Sequence, residues 1–201
     1  MTEPERRPLL QIIVASTRPG RVGEPIAQWF AAYARQYEGF EVEIVDLAEV
    51  DLPMFAEPEH PRFARYVLDS TKAFSATVAR ADAFAIVHPE YNHSYNAALK
   101  NALDHLNQEW AGKPVALIGY GGVAAGARAA EALWPVLVAL RMVPVAATVP
   151  IPFAAQRVSG EGEARTFTPA EETEAGAKAA LDGLAGWLDV LGLRGAHEAR
   201  T

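Results

Sequence analysis

The sequence predicts an α/β fold: a three-layer αβα sandwich built on a five-stranded parallel sheet of order 2-1-3-4-5. Two observations predict it. Short apolar runs rich in β-branched residues alternate with stretches of helical spacing, which is the pattern of right-handed βαβ units whose sheet is covered on both faces. The chain also has 201 residues, half of them hydrophobic, a size that suits one domain with a substantial buried core.

Residues 9–15 (LLQIIVA) form an apolar run that ends in a turn, so they read as a buried parallel strand. Residues 24–37 follow as a helix, with Ile26, Trp29, Phe30 and Tyr33 on one apolar stripe. Residues 40–47 alternate and give the second strand, ending at a solvated Asp46. Residues 51–61 carry Pro53, Pro58 and Pro61 and read as a loop, with Glu57 and Glu59 in water. Helical spacing through Phe63, Val67, Phe74 and Val78 predicts a helix over 62–81. Residues 83–87 are the third strand, 88–95 a loop and 96–108 a helix. The fourth strand spans 113–120, and a glycine-rich loop leads to a helix over 125–140. The fifth strand spans 142–149, residues 150–169 are irregular, and 170–191 are the last helix. Residues 1–8 and 194–201 read as flexible tails on a single domain spanning 1–201. Trp29 and Trp134 sit among apolar neighbours and are expected in the core.

Charge and composition exclude several functions. A net charge of −7 with no basic stripe argues against nucleic acid and against anionic membrane surfaces. The chain has no cysteine, which removes disulfides and thiolate metal sites. The first residues do not have the form of a signal peptide, and no run of ~18 apolar residues could span a bilayer. A cytoplasmic protein is the expectation.

In a sheet of this order, ligands sit beyond the carboxyl ends of the strands, at the point between strands 1 and 3 where the winding reverses. Three loops converge there. The first holds Ser16, Thr17, Arg18, Arg21, Val22 and Gly23. A helix start offers free amides and a positive dipole end, and hydroxyls and guanidiniums beside it suit a phosphate. It lacks the Lys-Ser/Thr of a nucleotide-hydrolysing loop and the spacing G-x-G-x-x-G, so a phosphate monoester held without metal fits better. The second loop holds Pro89, Glu90, Tyr91, Asn92 and His93, and the third Tyr120, Gly121 and Gly122. Backbone groups and an aromatic at strand ends could hold a flat polar ring. Each loop alone is equally consistent with an ordinary turn. Together they outline a phosphate cradle joined to a flat slot, the shape of a flavin mononucleotide.

The motifs S-T-R-x-x-R (16–21), P-E-Y-N-x-S-Y-x-A-x-L-K-N-A-L-D (89–104), E-W-x-G-K-P (109–114) and Y-G-G (120–122) resemble the NADPH-dependent FMN reductases. The resemblance covers about residues 9–150. It implies a flavodoxin-like fold, bound FMN, NAD(P)H as co-substrate and a quinone, azo compound, metal oxyanion or free flavin as acceptor. It implies phosphate contacts from Ser16, Arg18 and Arg21, ring contacts from Pro89 to Asn92 and from Gly121 and Gly122, and a homodimer or homotetramer with Trp110 near an interface. Asn96 replaces a common proline, which would loosen the following helix, and His88 replaces a small residue. The flavin carries the redox chemistry, so no catalytic acid or base is expected, and His88 and His93 read as loop histidines without a catalytic role. A flavodoxin-type electron carrier, or a flavin-binding regulatory protein without NAD(P)H turnover, is the competing reading.

Overall fold

Strand β1 (Leu9–Val14) is buried at every position, which fits a strand flanked on both edges and covered on both faces. It pairs in parallel with β2 (Glu41–Asp46) on one side and β3 (Ala83–Pro89) on the other. Strands β4 (Pro114–Tyr120) and β5 (Val143–Ile151) complete a five-stranded sheet of order β2-β1-β3-β4-β5, as the sequence predicts. The computed structural model describes residues 6–37 and 39–193, the side chain of Glu163 excepted.

The period-two alternation of side chains divides the core. Leu10, Ile12 and Val14 point to the face covered by α1 (Gly23–Gln36) and α6 (Glu171–Val190). Ile13 points to the other face, under α3 (Asp69–Ala79), α4 (Ala97–His105) and α5 (Ala127–Ala139). A single helical turn, α2 (Leu47–Val50), follows β2.

Several expectations are corrected. The helix predicted over 62–81 begins only at Asp69. Pro61–Phe63 form one 3-10 turn capped by His60, and Ala64 ends it at φ 51°, in the left-handed region. Phe63 and Val67 are therefore exposed, whereas Phe74 and Val78 are buried. Glu57 is buried, not solvated. Its carboxylate accepts the N–H groups of Val67 (2.8 Å) and Leu68 (3.1 Å) at the start of α3. Burial pushes the Glu57 carboxyl up, but these bonds and the Thr71 hydroxyl outweigh it and hold it below the usual range. Trp134 lies on the outer side of α5 and is 37% exposed, while Trp29 packs against the core edge-on to Phe167. Residues 150–169 are not wholly irregular: β5 runs on to Ile151, and β6 (Val158–Ser159) pairs antiparallel with β7 (Thr166–Phe167). Arg6 reaches Asp82 at 2.7 Å, and the Pro8 carbonyl accepts from Glu41 N–H, so residues 6–8 are tied to the sheet. The expected tails at 1–5 and 194–201 lie outside the described residues.

Candidate functional site: a phosphate loop beside a flat slot

The loop from β1 to α1 leaves four of its amides without an acceptor among the described residues. Ser16 is buried, and Gly20 takes φ 68°, which lets the chain reverse. α1 begins at Gly23, with Val22 in the capping position and no side-chain cap. Among the described residues, the N–H groups of Thr17, Arg18, Gly20 and Val22 have no acceptor, while Arg21 N–H donates to the Arg18 carbonyl. A row of amides at the N-terminus of a 14-residue helix is an anion site in the making.

The two arginines differ. Arg18 is exposed and makes no ion pair with a described residue. Arg21 donates to the Ser16 carbonyl (2.9 Å) and forms a two-pronged ion pair with Asp46, Nη1 to Oδ1 at 2.8 Å. Asp46 is thus buried and paired, not solvated, and it also caps α2 through Ala48 N–H at 2.9 Å. The resemblance implies a phosphate contact from Arg21, and in the structure its charge is matched by Asp46.

Tyr120, the last residue of β4, is buried with its hydroxyl over the start of α1. A Cβ on Gly23 would lie 2.5 Å from that oxygen, so any larger residue there would have to displace the Tyr120 ring. The Ser16 hydroxyl is engaged with the Tyr91 hydroxyl (3.1 Å), and the Tyr120 hydroxyl has no hydrogen-bond partner among the described residues. Burial raises the Tyr120 phenol well above its ordinary range, so it stays protonated; the Ser16 hydroxyl beside it acts in the opposite direction but is already engaged with Tyr91.

The slot side is built by the loops after β3 and β4. Tyr91 and Ser94 exchange two backbone hydrogen bonds (2.9 and 3.0 Å), with Asn92 and His93 at φ 50° and 68°. Positive φ at both central residues makes a tight reversal, and asparagine tolerates it well. The turn holds the Tyr91 ring 39% exposed above Ser16. Pro89 closes β3 in the core, and Glu90 N–H donates to the Tyr120 carbonyl at 2.9 Å. The Glu90 side chain pairs with Arg128 in the first turn of α5, and Arg128 donates to His93 Nε2 at 2.8 Å. No local spacing signals Arg128, whose partner lies 38 residues away. Gly121 N–H donates to the Ile151 carbonyl (3.3 Å). Gly122 is exposed, its N–H has no described acceptor, and nothing lies within 4 Å of where a Cβ would be. A cavity of 430 Å³ lined by Thr17, Met54, Ala98 and Asn101 adjoins the phosphate loop.

The family model for the NADPH-dependent FMN reductases matches residues 8–156. The chain belongs to that family. An NAD(P)H-dependent FMN reductase of Schizosaccharomyces pombe is 40% identical over 132 residues, 63% of this chain and 66% of that protein. The structure resembles that of a flavoenzyme, an NAD(P)H:(acceptor) oxidoreductase from Paracoccus denitrificans, with a TM-score of 0.68, 25% identity, and coverage of 94% and 99% of the two chains. A flavodoxin from Streptococcus pneumonia matches with a TM-score of 0.55 at 15% identity over 89% of this chain and 98% of that one, so the fold is flavodoxin-like.

FMN, the cofactor of this oxidoreductase family, fits the residues present. The deciding observation is the Tyr120 hydroxyl, a buried donor lacking an acceptor beside four amides that also lack one. A phosphate at this helix start would supply acceptors to the amides.

Other residues singled out from the FMN reductase resemblance are placed differently. Trp110 is fully buried between Phe84 (ring centroids 5.0 Å apart) and Phe74 (6.1 Å), so it presents no surface to a partner. Asn96 does not loosen the start of α4. Its Nδ2 donates to the Ala15 carbonyl at 2.7 Å and stitches α4 to the end of β1. His88 is the penultimate residue of β3, not a loop residue. It is fully buried with neither ring nitrogen partnered among the described residues, and burial pushes it down to about 4.

Proposed function

We propose that this chain holds FMN non-covalently and uses NAD(P)H to reduce a small-molecule acceptor, a quinone, azo compound, metal oxyanion or free flavin, in a ping-pong cycle. The observation that carries the reading is the row of amides at the β1–α1 loop, those of Thr17, Arg18, Gly20 and Val22, that have no acceptor among the described residues, with the Tyr120 hydroxyl buried and unpartnered beside them. The bound flavin supplies the two-electron chemistry, accepting hydride from the nicotinamide and passing electrons to the acceptor.

The protein's part is to bind, orient and polarise. Ser16, Arg18, Tyr120 and the amides of Thr17, Arg18, Gly20 and Val22 would hold the phosphate. Tyr91 and the Asn92–His93 turn, held at the end of β3 by the buried Pro89, would flank the ring, and Gly122 N–H would be a donor for negative charge on it. Glu90, locked to Arg128, braces the turn and is not a general base. No side chain has to move a proton, because His88 is neutral and sealed in the core and water can supply the proton.

A homodimer or homotetramer is part of this reading. What supports it is a 720 Å³ groove on the α4–α5 face, lined by Phe55, Pro135, Val136 and Leu140, with exposed Trp134 and Val138 on the same helix. A cytoplasmic location is part of the same reading. No described helix is long and apolar enough to cross a membrane.

The test is anaerobic: protein reconstituted with FMN is mixed with NADPH, then with a quinone. Loss of the flavin absorbance on NADPH addition, and its return with quinone, is the expected result. A flavin that binds but stays oxidised would leave an electron carrier, and no flavin binding would remove the proposal.

A further inference from the structure

Arg165 lies beyond the segment matched to the family, just before β7 in the hairpin that follows β5. Its guanidinium reaches back to the phosphate loop. Nη1 donates to the Arg21 carbonyl at 2.8 Å and Nη2 to Glu24 Oε2 at 3.0 Å, while Nε holds the Gly162 carbonyl of its own hairpin at 3.2 Å. All three nitrogens are committed, and the side chain is 20% exposed, so the group is fixed at both ends.

Glu24 is what makes this contact matter. It stands in the first turn of α1, at the end of the helix where the phosphate amides gather. A carboxylate there suits the helix dipole but opposes a dianionic ligand. Arg21 Nε is 3.9 Å from Glu24, yet the charge of Arg21 is already matched by Asp46. Arg165 is therefore the cation that answers Glu24. The hairpin does not depend on this contact for its place, because Phe167 packs in the core against Trp29, 5.3 Å between ring centroids.

We propose that Arg165 is a positioning residue for the flavin phosphate: it masks the Glu24 charge and pins the Arg21 carbonyl, presetting the β1–α1 loop for a dianion. The inference rests on the FMN reading above.

The test compares FMN with riboflavin, which lacks the phosphate. Affinities of the apo protein are measured by quenching of flavin fluorescence for wild type, Arg165→Met, Arg165→Lys, Glu24→Gln and the Arg165→Met/Glu24→Gln pair. Arg165→Met is expected to weaken FMN about tenfold and riboflavin by less than about twofold. Glu24→Gln in the same chain restores most of the loss, since no charge is left to mask. Arg165→Lys keeps the cation and loses less than about threefold, which keeps the test open should Arg165→Met fold poorly. Equal losses for the two flavins, no loss in Arg165→Met, or no recovery with Glu24→Gln would overturn the role of Arg165. A wild-type protein that binds no FMN would instead overturn the cofactor reading itself.

Discussion

Replacing Tyr120 with phenylalanine removes one oxygen and separates the demands of folding from those of cofactor binding. The hydroxyl is buried and has no partner among the described residues. Leaving such a group unpaired costs about 1–3 kcal/mol, of which the nearby Ser16 oxygen recovers part. The ring keeps its contacts, so no large cavity forms. Apo Tyr120→Phe is therefore expected to be more stable than wild type by about 0.5–2 kcal/mol. With phosphate in the loop the sign reverses. A hydrogen bond to a charged group contributes about 1.5–3 kcal/mol, so FMN should bind about 10- to 150-fold more weakly while riboflavin binding is unchanged. Urea unfolding of the apo protein followed by tryptophan fluorescence, and flavin titration of the same preparations, give both numbers. A destabilised apo protein with undiminished FMN affinity would show that the hydroxyl serves the fold and not the ligand, and the argument from the orphaned donor would be wrong.

The two loop arginines should behave differently. Arg18→Ala is expected to weaken FMN by about 1.5–3 kcal/mol with apo stability within about 0.5 kcal/mol of wild type. Arg21→Ala strands the buried Asp46 and should destabilise the apo protein by about 3 kcal/mol, with Asp46→Asn in the same chain recovering part of it in urea melts. His88 gives a pH signature. Its folded value, about 4, lies below the unfolded value near 6.5, so the unfolded chain binds a proton that the folded protein refuses. Stability from this group is fully present above about pH 6.5 and is lost as pH falls toward 4, by up to about 3 kcal/mol. Urea midpoints from pH 7 to 5 should fall in wild type and fall less in His88→Phe; parallel slopes would refute the assignment.

What the sequence disclosed follows from how local each signal is. β1, β3 and β4 are unbroken apolar runs, and together with the helical spacing between them they were enough to predict the sheet order. The phosphate loop was legible because a strand, a glycine turn and a helix start adjoin one another in the chain. The segment before α3 was not, because Phe63 and Val67 keep helical spacing while Pro61 and the left-handed Ala64 break the helix. Long-range pairs left no local trace. Arg21 finds Asp46 25 residues on, and Arg165 reaches Glu24 across 141. For the same reason Asp46 and Glu57 read as solvated carboxylates although each is spent on partners inside the fold. Trp110 was misplaced by the resemblance, because motif identity says nothing about which face of this chain the ring turns to.

The most direct measurement is a crystal structure of the protein with FMN. The phosphate is expected within hydrogen-bonding distance of Tyr120 Oη, Arg18 and the amides of Thr17, Arg18, Gly20 and Val22, with the ring beside Tyr91 and Gly122. A phosphate lodged elsewhere, or crystals grown with excess FMN that show Tyr91 still closed onto Ser16 and no flavin beside it, would contradict the account.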